Sequence, residues 1–233
     1  MGDVNQGRRG YTSALRERQA AATRQAVLEA ARELFLSQGY GTTTIDQVAA
    51  RAQVSKPTVF TAVGNKQALL AAVRDVALAG DDLPVAVSDR APYQVVLAEP
   101  DPYRAIALMA AHLTELWRRY AGIREVMRGA ASSGEPALRD MWQTGQQQRL
   151  TAARSFIAAL TGKGPLRQGL DTRTAADIAW LHISPDNYRA LTAERGWSEA
   201  DYQRWLVDTL TAALLPPREP MAPVTGNGQP ASE

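Results

Sequence analysis

The order of apolar and polar positions predicts a chain built from helices. From residue 20 onward, apolar residues recur at the spacing that lines one face of a helix, as in Val27, Leu28, Ala31, Leu34 and Phe35. Gly39 then provides a left-handed C-terminal stop. The clearest pattern covers residues 199–214 and ends at two prolines. No segment shows the alternation of a strand and no internal repeat is found, so the predicted fold class is all-α.

Two short helices are predicted between residues 44 and 63. Thr44 and Gln47 fit a capping box, which predicts a helix over about 44–51. Ser55 is a good N-cap for a second helix over about 56–63, where Pro57 falls in the tolerant first turn. Asn65 is suited to cap the helix that follows. The pattern therefore predicts three closely spaced helix starts.

The rest of the chain is predicted to be helical after one irregular connection. Residues 81–102 contain four prolines and are interpreted as that connection. Further helices are expected near residues 103–120, 122–131, 136–161, 172–183, 185–194 and 199–214.

Composition removes several classes of function. Cysteine is absent, which excludes disulfides, thiolate nucleophiles and cysteine-ligated zinc. The two histidines are isolated, so neither a metal site nor a cofactor is expected. The sequence contains no P-loop, dinucleotide-binding or hydrolase motif, and we expect no enzyme. Neither a signal peptide nor an apolar run of about 18 residues is found, which predicts a cytoplasmic protein that does not enter a membrane.

Positive charge is concentrated near the N-terminus. The formal net charge is +2, yet residues 1–80 hold ten Lys/Arg against six Asp/Glu. This distribution favours a polyanionic partner, although a solvated surface explains it equally well. Arg8, Arg9, Arg16 and Arg18 lie in a segment without clear periodicity, which is interpreted as a flexible arm. The arm either clamps DNA or serves as a solubilising leader.

The two short helices have the spacing of a helix-turn-helix, whose second helix enters the major groove of DNA. Lys56 can reach a phosphate or a guanine edge, and Thr58 and Thr61 offer hydroxyl and methyl groups to bases. The helix start at Thr44 can direct backbone N–H groups at a phosphate. The predicted contacts with a double-stranded DNA operator are Thr43, Thr44, Ser55, Lys56, Pro57, Thr58, Phe60, Thr61 and Lys66.

Three stretches of this region, residues 39–49, 52–60 and 65–70, resemble the N-terminal signature of the TetR family of repressors. The resemblance covers roughly residues 23–75. It implies about nine to ten helices, with a DNA-binding domain over 19–66 and a helical effector-binding and dimerisation domain over 67–215. Residues 1–18 form the flexible basic arm in this scheme, and residues 216–233 form a disordered tail.

The sequence departs from the family pattern at two places. Gln53 stands where the family usually has glycine, so a left-handed or crowded backbone must be accommodated there. Phe60 and Ala62 stand where the family has aromatic hydroxyls that hold DNA phosphates, and neither residue can do so. The phosphate contacts should therefore rest on Lys66, Thr44, Lys56 and the arm.

The resemblance also implies a homodimer formed by the last two long helices of each subunit. Such a dimer places two recognition helices about 34–36 Å apart, which favours a near-palindromic operator. The candidate interface residues, which could equally be buried inside their own subunit, are Ala175, Ile178, Ala179, Trp180, Tyr202, Trp205, Leu206, Leu210 and Ala213.

A small-molecule effector is expected between the helices of residues 103–183. The apolar, tryptophan-bearing composition favours an apolar or aromatic effector. Each candidate lining residue could instead belong to the plain core: Tyr103, His112, Trp117, Trp142, Phe156, Trp180 and His182.

The sequence thus favours a ligand-responsive DNA-binding repressor, with an activator as the less favoured form of the same regulator. A helical interaction module that no longer binds DNA is the alternative, and an all-α enzyme is the most remote one. Salt-dependent duplex binding separates the regulator from the interaction module, and substrate turnover would identify an enzyme.

Overall fold

The computed structural model describes residues 4–218, with side chains from residue 15 onward, and all its regular structure is helical. The all-α prediction is confirmed. No helix in this part of the chain is long and apolar enough to cross a membrane. The α-helices are α1 (Val4–Thr42), α2 (Ile45–Arg51), α3 (Lys56–Ala62), α4 (Lys66–Ala79), α5 (Ala91–Ala98), α6 (Pro102–Ala131), α7 (Pro136–Thr161), α8 (Thr172–His182), α9 (Pro185–Arg189) and α10 (Glu199–Leu214).

The three predicted helix starts near the N-terminus are confirmed in atomic detail. Thr44 and Gln47 form a reciprocal capping box at the start of α2. The Ser55 hydroxyl accepts a hydrogen bond from the backbone N–H of Thr58, and the Asn65 side chain accepts one from that of Ala68. Each cap is worth about 1 kcal/mol, so three short helices are fixed in register by local chemistry.

The N-terminal head consists of α1 to α4, packed around one apolar cluster. Val27 and Phe35 of α1, Val48 of α2, Val59 of α3 and Leu69 of α4 are all fully buried in it. Helix α1 is interrupted at Gly39, where φ is 81°. This bend starts the turn that leads into α2 and confirms the predicted stop.

Helix α6 is the centre of the remaining structure and packs against α1, α4, α5, α7, α9 and α10. Two helices were expected here, separated near Ala121 and Gly122. They form one continuous helix, in which Gly122 lies at a close contact with α1, where a Cβ atom would lie 2.8 Å from Leu36 Cδ2. The glycine therefore serves packing and does not end the helix.

Two other expectations differ from the structure. The connection over residues 81–102 contains a 3-10 turn at Val87–Asp89 and the helix α5. Pro92 occupies the first turn of α5, where proline is tolerated, and Val96 anchors this helix in the core with 1% exposure. At the N-terminus, α1 already begins at Val4, so the arm predicted for residues 1–18 is helical from there on. Residues 1–3 and the predicted tail beyond residue 218 lie outside the described residues.

Gln53 lies in the turn between α2 and α3 and has a φ of 56°, unlike every other non-glycine residue from 4 to 218. A left-handed conformation costs an L-residue about 1–2 kcal/mol, because its Cβ approaches the following carbonyl oxygen. The left-handed backbone anticipated at this departure from the family pattern is therefore confirmed.

We expect Gln53→Gly to raise the free energy of unfolding by about 0.5–1 kcal/mol. Glycine removes the left-handed strain but adds backbone entropy to the unfolded chain, which offsets part of the gain. Urea unfolding followed by circular dichroism measures the change. The control is Gln143→Gly on the exposed face of α7, which should lower stability by about 1 kcal/mol. Equal losses in both variants would show that Gln53 is not strained.

Candidate DNA-binding surface and interior cavity

Helix α3 presents a mixed face to solvent. Lys56, Pro57, Phe60 and Thr61 share one side of this helix and are exposed. Lys56 Nζ lies 3.0 Å from Asp46 Oδ2, but this surface ion pair is weak and leaves the ammonium group available. The face combines a cation, a hydroxyl group and an apolar ring, which are the groups that contact phosphates, base edges and thymine methyl groups.

Thr44, Ser55 and Thr58 cap helices at the edges of this face. The Ser55 and Thr58 hydroxyl oxygens lie 2.7 Å apart, while the Thr44 hydroxyl serves the capping box of α2. The Thr61 hydroxyl donates to the Pro57 carbonyl at 3.0 Å. These hydroxyls are held in place by the helix ends, so their positions are set before any partner arrives.

Two of the predicted DNA contacts are engaged within the head in this structure. Thr43 is 1% exposed, and its hydroxyl donates to the Gly39 carbonyl at 2.8 Å, which fixes the turn before α2. Its side chain is therefore a part of the fold in this conformation. Lys66 Nζ donates to the Gly41 carbonyl at 3.1 Å and lies 4.3 Å from the Tyr40 ring centroid. Burial lowers the pKa of Lys66. Reaching a phosphate would require Lys66 to leave these contacts.

A cavity of about 660 Å³ lies behind the head, between α4, α6, α7 and the segment of residues 81–88. Its volume is typical of small-molecule sites. Most of its lining is apolar, including Met109, Leu113, Leu116, Trp117 and Phe156. The cavity is also lined by polar side chains, namely Arg74, Asp75, Asp81, Asp82, Ser88, Tyr93, His112, Tyr120, Arg124, Gln148 and Arg149.

Three of the seven predicted effector residues line this cavity, namely His112, Trp117 and Phe156. Burial lowers the pKa of His112, and the nearby positive charge of Arg119 lowers it further, so the imidazole is neutral at pH 7. Among the described residues, no group of three or more metal-binding side chains comes together.

The other four predicted effector residues lie elsewhere. The Tyr103 hydroxyl donates to the Pro216 carbonyl at 2.6 Å, which joins α6 to the chain after α10. The His182 ring stands edge-on to Trp205, with 6.3 Å between centroids. Trp142 and Trp180 each lie against an arginine. Arg124 Cζ is 4.5 Å from the Trp142 ring centroid, and Arg149 Cζ is 4.3 Å from the Trp180 ring centroid. The local sequence pattern did not distinguish residues that line the cavity from residues that pack outside it.

The two arginines at the cavity were not predicted from the sequence, although a signal was present. Arg124 continues the apolar stripe of Leu113, Trp117 and Tyr120, and Arg149 lies seven residues before Phe156 on one face of α7. A charged residue within a buried stripe is rare unless it is paired or functional.

Arg124 is paired and 4% exposed. Its Nε and Nη2 donate to the two carboxylate oxygens of Asp186 at 2.9 and 3.0 Å, and Arg128 binds the same carboxylate. Burial acts to raise the pKa of Asp186, but the hydrogen bond and charge of Arg124 outweigh it and bring the value to about 2. The group thus joins α6 to α9 as a permanent ion pair.

Asp81 and Asp82, at the start of the 81–88 segment, each accept hydrogen bonds from an arginine. Asp81 accepts two hydrogen bonds from Arg90, at 2.6 and 2.9 Å, within the same connection. Asp82 accepts from Arg24 of α1 at 2.5 and 3.1 Å. Arg24 Nη1 also donates to the carbonyl of Ala62, the last residue of α3, at 2.8 Å. The Arg24 side chain therefore connects Asp82 in the cavity wall with the C-terminal end of α3.

The helices α8 and α10 carry the predicted dimer stripes. Within this subunit, five of these residues are already buried, namely Ala175, Ala179, Tyr202, Leu206 and Leu210. The remaining four are partly exposed: Ile178, Trp180, Trp205 and Ala213. On α8, Leu181 is 57% exposed.

Comparison with known proteins agrees with this arrangement. The model of "Bacterial regulatory proteins, tetR family" matches residues 27–73, which cover the C-terminal part of α1, all of α2 and α3, and the first part of α4. The HTH-type transcriptional regulator YdeS of Bacillus subtilis (strain 168) is 28% identical over 173 residues, which are 72% of this chain and 78% of that protein.

Two solved structures share the fold along most of the chain. NalD, the secondary repressor of the MexAB-OprM multidrug efflux pump in Pseudomonas aeruginosa, has a TM-score of 0.59 at 22% identity, covering 83% of this chain and 96% of NalD. The SmeT–triclosan complex has a TM-score of 0.60 at 21% identity, covering 91% of this chain and all of SmeT. At this identity the likeness concerns the fold. The match over residues 27–73 and the likeness to YdeS identify the head of this chain as that of the tetR family of bacterial regulatory proteins.

Proposed function

We propose that the protein is a transcriptional repressor that binds a near-palindromic operator as a homodimer and leaves it when a small effector enters the cavity. The observation that carries this proposal is the Arg24 connection, which joins the wall of the cavity to the end of α3. The family match of the head and the mixed exposed face of α3 support DNA as its partner.

The exposed face of α3 supplies the contacts with DNA. Lys56 stands in the first turn, which is the part of a recognition helix that faces base edges and flanking phosphates. Phe60 can pack against a thymine methyl group, and Thr61 can contact base or backbone. The head thus relies on one central cation, with Lys66 and the arginines at the start of α1 as further candidates.

Release follows from the walls that the cavity shares with the head. Residues of α4, which starts at Lys66 directly after α3, form one side of the cavity, and Asp82 forms part of another. An effector that fits better when these walls move favours a state in which α3 is displaced. By linkage, DNA then weakens effector binding to the same degree, with an ordinary coupling of about 1–3 kcal/mol.

The dimer is proposed to form through α8 and α10. Leu181 is exposed on α8, and the partly exposed Trp205 extends the same apolar region on α10. A second copy of the chain would remove these side chains from water, which is the usual reason for an exposed apolar face in a regulator.

We expect Lys56→Ala to weaken operator binding by about 1–3 kcal/mol and to reduce the slope of log K against log salt by about 1 for each phosphate that is no longer neutralised. The operator is first isolated by selection of bound fragments from genomic DNA, and fluorescence anisotropy across a salt series then measures binding. The control is Arg154→Ala, an exposed cation on α7 away from the head. Binding no better than to random duplex in the wild type would favour the interaction module that no longer binds DNA.

We expect Asp82→Asn to uncouple the cavity from DNA. The neutral fluorescent probe N-phenyl-1-naphthylamine reports cavity binding, and saturating operator should weaken its binding to the wild type about 5-fold or more. In Asp82→Asn this ratio should approach 1, because Arg24 loses its carboxylate. Asp81→Asn is the matched control, since Asp81 pairs only with Arg90 among the described contacts. Equal ratios in all three proteins would refute the Arg24 connection.

We expect Leu181→Glu to convert the dimer into a monomer in light-scattering measurements at micromolar concentration. A carboxylate in the middle of an apolar interface loses hydration without gaining a partner. Val95→Glu, at a 53% exposed position on α5, is the control and should remain dimeric. A wild-type protein that is already monomeric, or a Leu181→Glu variant that stays dimeric, would contradict this placement of the interface.

A further inference from the structure

The cavity contains a cation that has no negative partner in the protein. Its other charged lining residues are all engaged in ion pairs: Arg74 with Asp75, Asp81 with Arg90, Asp82 with Arg24 and Arg124 with Asp186. In the described part of the chain, no carboxylate forms an ion pair with Arg149. This arginine is therefore the uncompensated charge of the site.

The contacts of Arg149 leave most of its hydrogen-bonding capacity unused. Its Nη1 donates to the Trp180 carbonyl at 3.3 Å, and its guanidinium group stacks on the Trp180 ring. Its Nε is buried without a hydrogen-bond partner among the described residues. A guanidinium group has five N–H donors, and a carboxylate is the partner that matches two of them at once.

Asp186, whose negative charge acts on Arg149, cannot supply that partner. Asp186 is held by both oxygens at Arg124 and also binds Arg128. Burial lowers the pKa of Arg149 to about 10, and repulsion by Arg124 contributes to the decrease. The group still carries its charge at neutral pH, so the free protein keeps a partly buried cation at a cost in stability.

The rest of the cavity suits an apolar body. Phe156 follows Arg149 by two turns of α7, which places it about 10 Å further along the cavity. Met109, Leu113 and Leu116 of α6 form the facing apolar wall. The side formed by α4 and residues 81–88 carries the three carboxylates of Asp75, Asp81 and Asp82. Because these carboxylates already hold the neighbouring arginines in ion pairs, a second negative charge on a ligand would find no free cation there.

We propose that the effector is an amphipathic monoanion, whose single carboxylate pairs with the Arg149 guanidinium group while its apolar body packs against α6 and Phe156. This inference rests on the proposed function, because it names the chemical class of the effector for the same cavity. The apolar or aromatic effector expected from the sequence is thereby specified further as a molecule with one carboxylate at one end.

Isothermal titration calorimetry of the full chain with matched acids and amides tests the proposal. The probes are decanoate against decanamide and 1-naphthylacetate against 1-naphthylacetamide. At least one acid should bind about 10-fold or more tightly than its amide. Arg149→Met should remove this preference and leave amide binding nearly unchanged. Arg154→Met, an exposed arginine of the same helix without an ion pair among the described contacts, should behave as the wild type.

A second measurement needs no ligand. Thermal unfolding of the free protein should show a higher Tm for Arg149→Met than for the wild type, because methionine removes an unpaired buried charge and keeps much of the volume. Arg154→Met should leave Tm unchanged. A lower Tm for Arg149→Met would mean that the free protein already compensates this charge, and it would overturn the proposal.

Two further outcomes would also overturn it: equal affinities for each acid and its amide, or no binding of either acid at millimolar concentration. Operator binding by ligand-free wild type and Arg149→Met, measured by anisotropy, separates this inference from the proposed function. Normal operator binding without a preference for the acids over their amides would refute only the proposal that the effector is a monoanion. Acid preference without operator binding would support the site and refute the repressor.

Discussion

The burial of α6 among its neighbours is the constraint on which both functional regions depend. Its 30 residues span about 45 Å, and its buried face contributes to the core from Ala105 to Ala130. Gly122 lies at a close contact with Leu36 of α1 in the head, and other residues of the same helix between Met109 and Arg124 line the cavity. A side chain that moves in the cavity therefore presses on the same rigid element that supports the head.

The polar contacts around this core divide into two kinds. Some are closed, such as the bidentate pair of Arg124 and Asp186, where every charge has its partner and the low pKa of Asp186 keeps the pair intact at all physiological pH values. Others are open, such as Arg149, which has donors without acceptors. Closed contacts fix the relative positions of helices, whereas an open contact in a cavity is where a ligand can gain binding energy.

The parts of the structure that sequence predicted well are those governed by local chemistry. The capping residues Thr44, Ser55 and Asn65 act within three residues of the helices they start, so their effect is visible without the fold. The left-handed backbone at Gln53 was anticipated from the family resemblance, because the family usually has glycine in this turn. Helix α5 was missed because its prolines were interpreted as breaks, whereas its position is decided by the burial of Val96 against α6.

The site was harder to predict because its residues are defined by packing between distant helices. Thr43 and Thr44 are neighbours in sequence, yet one is buried in the turn and the other caps α2 at the surface. Aromatic residues were favoured as cavity walls over arginines, although Trp142 and Trp180 stand behind Arg124 and Arg149. Which of two adjacent residues faces a cavity depends on how far the helix is rotated about its own axis. The local apolar pattern does not fix that rotation to within one residue.

The helical start of α1 changes what this end of the chain can reach. Residues 15–22 are exposed on all sides of the helix, and the backbone is helical from Val4 onward. An extended arm of 18 residues could span about 60 Å, whereas the same length of helix spans about 27 Å. A stiff rod of this length cannot thread along a narrow groove, but it arrives already ordered and loses little entropy on contact. In the proposed complex with DNA, this segment would therefore make a short footprint close to the head, in place of a long one that wraps the duplex.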